Sequence, residues 1–360
     1  MDAVRQNTLY VMTQGAYLHR DHLTVKVEIE KETRLSVPIH HLESVCIFGN
    51  VMVSPGVMRL CAEHGAAFTF MSETGRLIAR VDAPQSGNVL LRREQFRKAD
   101  KPEESLKIAR WIIAGKLQNA RGVLMRTARQ IGRPMAIGPD TAPAHALKTS
   151  DDISALDKAA ERIAYIIRAL ERAASVDEAR GYEGEGAKIY FGVFNNLMKQ
   201  QREDFKITER NRRPPLDPTN ALLSFSYALL LHDCVAALTA AGLDPNVGFL
   251  HSDRPGRPSL ALDLMEEFRP MIADRHVLTL INRKEVDKGG FVKRDGGAVE
   301  MSDAARKAVV SGYQQRKQEE VEHPLLEQKM TVGLLPFAQA RLLARYIRGD
   351  IQEYPPCVLR

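Results

Sequence analysis

The sequence predicts an α+β protein, with a small β-rich N-terminal domain over residues 1–87 and a larger all-α C-terminal catalytic domain over residues 88–360. Three observations carry this expectation. Apolar residues alternate with period two over the first part of the chain, and from about residue 88 they recur with period 3.6. The apolar content, 44% of 360 residues, supplies material for two cores.

In the N-terminal part, Leu23, Val25, Val27 and Ile29 alternate with Thr24, Lys26, Glu28 and Glu30, as a strand with one buried face would. Leu35, Val37 and Ile39 repeat the pattern, and residues 45–48 read as a further short strand. A helix follows, with Ser54 as N-cap, Pro55 in the first helical position and Gly65 free to take the left-handed C-cap conformation. Residues 67–71 and 77–81 flank a turn.

Beyond residue 88 the pattern is helical. Asp100, Pro102 and Glu103 open a helix that runs through Ile112 to Ala128. Further helices are expected at 153–175, 183–199, 221–241, 259–268, 302–319 and 324–347, with a short hairpin punctuated by Gly289–Gly290 and Gly296–Gly297. The most apolar stretch, 221–243, is interrupted by His232 and Asp233 and suits a buried core helix, not a membrane span.

Four cysteines without CxxC spacing fit buried thiols in a reducing compartment, and the N-terminus has no signal-peptide pattern, so a soluble cytoplasmic protein is expected. A net charge of +6 favours an acidic partner. Eleven basic residues against four acids between residues 92 and 129 give a local charge of +7. A solvated helix face accounts for that cluster about as well as nucleic-acid contact. Arg212, Arg213, Arg254 and Arg257, in loops, are better candidates for phosphate contacts. No GxxxxGK[ST] loop and no HExxH are present, which argues against ATP hydrolysis and a zinc protease site.

Two regions can carry chemistry. In RGYEGEGAKIYF (180–191) the glycines lack the βαβ setting of a dinucleotide loop, which leaves Glu183 at a glycine-flanked helix start. By itself that position fits a carboxylate stabilising a helix N-terminus. In GFLHSDRPGRPSLALDLMEEFRP (248–270), His251 precedes a helix from which Asp263 and Glu266 project on one face, while Glu267 is expected at the surface. Carboxylates with one imidazole suit Mg²⁺ or Mn²⁺.

RGYEGEGAKIYF, PPLDPTNALLSFSYALL (214–230) and GLDPNVGFLHSDRPGRPSLALDLMEEFRP (242–270) resemble, in order and spacing, three blocks of the CRISPR-associated integrase family, the first-numbered Cas protein. VCIFGNVMVS (45–54) is a looser likeness, and the tail after about Ala304 is similar only in being helical. The resemblance implies a metal-dependent DNA endonuclease and integrase that inserts spacer DNA into a CRISPR array by 3′-hydroxyl attack on a phosphodiester. It implies catalytic metal ligands at Glu183, His251 and Glu266, with Asp263 as a supporting residue or alternative ligand, and Mg²⁺ or Mn²⁺ as cofactor. The implied partners are double-stranded DNA (spacer precursor and repeat), a second copy of the chain paired through the β-rich domain, and the small second-numbered Cas protein in a heterohexamer-like assembly. A general metal-dependent nuclease without a CRISPR role is the alternative.

Overall fold

The computed structural model describes residues 7–81, 88–132, 150–211 and 214–359. Residues 7–81 form two four-stranded sheets around one helix. In the first sheet, strands β1 (Asn7–Val11), β5 (Leu42–Phe48) and β7 (Ala67–Met71) run parallel, and β8 (Leu77–Val81) closes the edge antiparallel to β7. In the second, β4 (Glu32–Pro38), β3 (Thr24–Ile29) and β2 (Tyr17–Asp21) form a meander, with β6 (Met52–Val53) parallel to β2. Helix α1 (Pro55–Glu63) starts at Pro55 as expected, and Gly65 takes φ +68. The Ser54 hydroxyl, however, makes no capping bond. The alternation is borne out in β3, where Val25 and Val27 are buried, but Leu23 and Leu35 are exposed because Leu23 precedes the strand and β4 is an edge.

The helical part comprises α2 (Val89–Ala99), α3 (Pro102–Gly132), α4 (Ser150–Leu170), α5 (Val176–Gly192), α6 (Pro218–Ala240), α7 (Ser259–Phe268), α8 (Arg275–Asn282), α9 (Asp303–Gln318) and α10 (Leu335–Arg348). α7 spans the expected residues, and Ser302 caps α9 by accepting from Ala305 N. The expected hairpin is β9 (Phe291–Lys293) with β10 (Val299–Met301). A continuous helix over 324–347 is not found. A second hairpin, β11 (Glu320–Glu322) with β12 (Lys329–Thr331), and a 3₁₀ turn at Val332–Leu334 precede α10, so this part is not purely α. Pro324 and the positive-φ Glu327 lie in the turn of that hairpin, where a helix could not continue. α2 and α8 are helices that the sequence reading did not separate.

α6 is the one described helix long and apolar enough to cross a membrane (mean hydropathy 1.7), but 67% of that window is buried inside the protein. It is the central core helix. Its Phe225 ring meets Phe48 of β5 at 5.7 Å, joining the sheet to the helices. Helix α9 links the two parts: Lys317 Nζ lies 3.0 Å from Asp233 Oδ1 of α6 and Tyr313 donates to Asp233 Oδ2 at 2.8 Å, while Gln314 Nε2 donates across the seam to Thr8 O of β1 at 2.8 Å. All four cysteines are buried and unpaired.

Two buried histidines favour this fold less as the pH falls. Burial pushes His232, beside Thr69 at the seam, and His276 down to about 4. A depressed histidine is neutral in the fold and protonates more readily once unfolded, so its contribution is full above about pH 6.5 and is lost as pH falls towards 4. Glu43, pushed up to about 8 by burial, acts in the opposite sense between about pH 4.5 and 8. The His232→Gln/His276→Gln double variant should therefore have a flatter acid limb than wild type in denaturant titrations between pH 7 and 4.5. An unchanged limb would rule out the two imidazoles as its cause.

Candidate active site

The site is assembled by α3, α5, α7 and the loop before α7. Lys116 follows Ile108 and Ile112 at four-residue spacing on α3, so the helix period turns it inward, and it is only 8% exposed. α5 begins earlier than expected. Ser175 accepts from Glu178 N at 3.1 Å, and acidic residues fill the first turn. Glu183 therefore sits mid-helix instead of at a helix start. The glycine that matters most for packing is Gly186, where a Cβ would overlap the Leu117 side chain. Its absence lets α5 lie close on α3, and the Glu183 carboxylate ion-pairs with the Lys116 ammonium.

α7 brings the second carboxylate. Lys116 Nζ is 2.6 Å from Glu266 Oε2, an ion pair without hydrogen-bond alignment, so one ammonium bridges Glu183 and Glu266. Arg269 NH1 lies 3.0 Å from Glu266 Oε1, and His251 Nε2 faces the same oxygen at 3.9 Å. Burial alone would raise the Glu266 carboxyl. Arg269, then Lys116 and His251, outweigh it and hold Glu266 well below the usual carboxylate range.

Asp263 builds the loop that carries His251. It is fully buried, and its Oδ2 accepts from Phe249 N at 2.6 Å and Leu250 N at 2.9 Å. Its Oδ1 accepts from His251 N at 2.9 Å and lies 2.6 Å from His251 Nδ1. An ionised carboxylate only accepts, so Nδ1–H donates to Asp263 and Nε2 is the nitrogen turned towards Glu266. Gly248 is needed here, because a Cβ would stand 2.8 Å from Ser259 Cβ and 2.9 Å from Asp263 Oδ2.

After α7 the chain makes a π turn over Arg269–Asp274, a distortion that frequently marks functional sites. Arg269 stacks over Tyr227 at 4.9 Å, and Tyr227 donates to Asp274 Oδ1 at 2.6 Å. Burial raises the Asp274 carboxyl to about 6 despite Tyr227, Arg269 and Arg210 nearby. Lys116, Arg269 and Tyr227 are absent from the sequence-derived candidates. Lys116 is hidden among eleven basic residues, although its place in an apolar stripe distinguishes it.

Glu267 is not at the surface as expected. It is fully buried and accepts from Tyr354 Oη at 2.6 Å and Cys357 N at 2.8 Å, which ties the C-terminal tail to α7. Arg254 is exposed and Arg257 half-buried, and neither has an ion-pair partner among the described residues. Arg212 and Arg213 lie outside the described residues. From the expected cluster between 92 and 129, Arg121, Arg126 and Arg129 line a groove of about 760 Å³ with Arg168 of α4, and none of the described residues lining it is acidic.

The structure thus brings Glu183, His251 and Glu266 to one cationic centre, with Asp263 behind the imidazole. Among the described residues, no three His, Cys, Asp or Glu side chains are gathered closely enough to hold a metal ion. The two carboxylates converge on Lys116 instead.

Comparison with known proteins gives a consistent family. A family model described as CRISPR associated protein Cas1 matches residues 9–315. The chain is 47% identical over 354 residues to CRISPR-associated endonuclease Cas1 1 of Moorella thermoacetica, with 98% of each chain covered. It is 48% identical over 351 residues to CRISPR-associated endonuclease Cas1 2 of Rhodospirillum rubrum, with 97% of each covered. The fold also matches a casposase bound to integration product, with a TM-score of 0.80 at 20% identity, covering 98% of this chain and 94% of that one.

Proposed function

This chain belongs to the Cas1 family of CRISPR-associated proteins, and on that premise we propose that it is a metal-dependent DNA integrase and endonuclease that inserts spacer DNA into a CRISPR array. The observation that carries the reading is the convergence of Glu183 and Glu266, from two separate helices, on one cation beside the His251 imidazole. A buried carboxylate, Glu266, and a half-buried one, Glu183, sit together there because positive charge compensates them.

Two carboxylates and an imidazole suit Mg²⁺ or Mn²⁺ as donors, and in the described arrangement the Lys116 ammonium holds the place of the cation, so the three groups would have to draw together around an ion that displaced it. Glu183, His251 and Glu266 would hold such an ion, which when bound polarises the phosphoryl oxygen and favours the nucleophilic form of the attacking hydroxyl. The chain does the rest. Asp263 fixes the imidazole orientation, while Arg269 offers positive charge next to the reacting centre. In the joining reaction a bond forms between a 3′-oxygen of the incoming DNA and phosphorus of the repeat. The bond from that phosphorus to the array 3′-oxygen breaks, and the proton lost by one hydroxyl is gained by the other. One phosphodiester replaces another, so no nucleotide cofactor is required.

Lys116 and the ion would compete for the same carboxylates. Lys116→Met is expected to bind Mn²⁺ several-fold more tightly than wild type by calorimetry, and weaker binding would mean that the ammonium does not occupy the ion's position.

The groove with Arg121, Arg126, Arg129 and Arg168 supports a path for the DNA backbone. The Arg121→Ala/Arg168→Ala double variant should weaken DNA binding and reduce the slope of log K against log salt by roughly 2, at about 0.9 per lost phosphate contact. An unchanged slope would remove this groove from the path. For assembly we propose double-stranded DNA, a second copy paired through the strand-rich part, and a small second-numbered Cas partner. Exposed Met52, Leu77 and Ile78 on edge strands of the two sheets support a contact there.

The deciding experiment gives the purified chain, with and without that partner, a repeat-containing plasmid and a spacer-length duplex. Joined product is expected. Hydrolysis alone under both conditions would favour the general nuclease.

A further inference from the structure

The arginine groove is not the only opening among the described residues. A cleft of about 440 Å³ lies between α2 and the His251 loop, and its wall includes Phe96, Asp100, Arg180, His251, Ser252 and Asp253. Its volume lies in the range of small-ligand sites. Its chemistry differs from that of the arginine groove. Two carboxylates, Asp100 and Asp253, face one guanidinium, and Arg180 is already engaged by the Asp177 carboxylate and by Leu250 O at 2.7 Å. A phosphate would meet net repulsion here. A flat, uncharged group with hydrogen-bond donors on its edge would not.

Phe96 supplies the complementary face. It is 41% exposed, on a helix whose neighbouring Leu91 and Gln95 are buried. Isolated exposed apolar residues are ordinary. Phe96 differs in its position, because it shares a cleft with His251 and is held in register with it. The adjacent Gln95 donates from Nε2 to Asp244 O at 2.8 Å and Val247 O at 2.9 Å, and its Oε1 accepts from Asp244 N at 2.9 Å. This clamp fixes α2 against the loop that leads to His251, so the aromatic wall is held in place beside the imidazole.

We propose that this cleft receives one unpaired nucleobase of the bound DNA, stacked on Phe96, with an exocyclic amino group donating to Asp253 or Asp100. Stacking on an aromatic side chain tolerates any base, whereas the carboxylates favour bases bearing an amine over thymine. Holding the base next to the phosphodiester under attack would fix the register of the strand at the site. The inference rests on the DNA-joining reading and adds a base-binding subsite to it.

The test uses the full-length chain and duplexes with a single-stranded 3′ extension, carrying 2-aminopurine at successive positions near the junction. Quenching should peak at one position in wild type and vanish in Phe96→Ala, whose affinity should fall roughly 5- to 150-fold. Phe96→Trp should retain both signals. With an abasic residue at that position, wild type and Phe96→Ala should bind alike. Equal affinity losses on abasic and intact DNA, or no loss at all, would overturn the proposal. A position-specific quench in a protein that never joins DNA would leave the base site standing and remove the integrase reading. Joining without such a quench would do the reverse.

Discussion

Glu183→Ala, His251→Ala and Glu266→Ala are each expected to reduce strand transfer by about 10³-fold or more while leaving DNA affinity within a few-fold of wild type. The three should differ sharply in stability, and that difference checks the geometry. The Glu183 side chain is 24% exposed, so its loss leaves a partly hydrated space. The Glu266 side chain is 3% exposed and stands between Lys116 and Arg269. Removing it leaves two cations without their shared counter-charge, at a cost of roughly 3–5 kcal/mol. Glu183→Ala is thus the clean catalytic test, and Glu266→Ala should combine lost activity with a melting temperature lower by several degrees. Activity would be followed by joined product on a gel and folding by calorimetry. Retained joining in Glu183→Ala would move the site elsewhere in the molecule. Equal stability of the two variants would mean that Lys116 and Arg269 do not depend on Glu266.

Parts of this site were readable from the residues and others were not, for separable reasons. Asp263 and Glu266 share a helix face because their spacing is short-range information, and α7 runs over the expected residues. The glycines around Glu183 suggested a helix start, yet they lie inside α5, and Gly186 serves a helix contact with Leu117 that is invisible until α3 is placed. Glu267 shows the same limit. A glutamate beside a glutamate on an amphipathic helix reads as solvent-facing, but the C-terminal tail folds back 87 residues later to offer it Tyr354 Oη. Lys116 is the most instructive omission. Its four-residue spacing from Ile112 pointed inward, and a buried lysine requires a carboxylate partner. Its neighbours in the basic stretch 92–129 are mostly not buried, which is why charge alone does not single it out.

At the level of architecture, the strand-rich beginning and helical remainder follow from periodicity, which is local. The break at 320–334 does not, because β11 and β12 are only three residues each and their apolar content is too small to change the period. The packing of α9 on α6 is equally non-local. Asp233 looks like an interruption in an apolar helix, and it becomes intelligible only when Lys317 and Tyr313 arrive from α9.

The largest structural effect is expected at Asp263, a residue that the sequence leaves as either a support or a ligand. Its two oxygens take three backbone N–H donors and the imidazole Nδ1, and no part of it is exposed to solvent. Asp263→Ala would strand the buried amides of Phe249 and Leu250, each worth about 1–3 kcal/mol, and the half-buried amide of His251, and should prevent the His251 loop from holding its conformation. Asp263→Asn keeps the volume but turns one acceptor into a donor against those amides, so a smaller loss is expected. Metal affinity separates the two roles. If Asp263 only orients His251, Asp263→Asn should weaken Mn²⁺ binding by about 10- to 100-fold. If it is itself a ligand, binding should be lost as completely as in Glu266→Ala. The hydrogen-bond count favours the first outcome, because both Asp263 oxygens are already engaged by donors of the chain, whereas Glu266 Oε2 meets only an ammonium that an ion could displace.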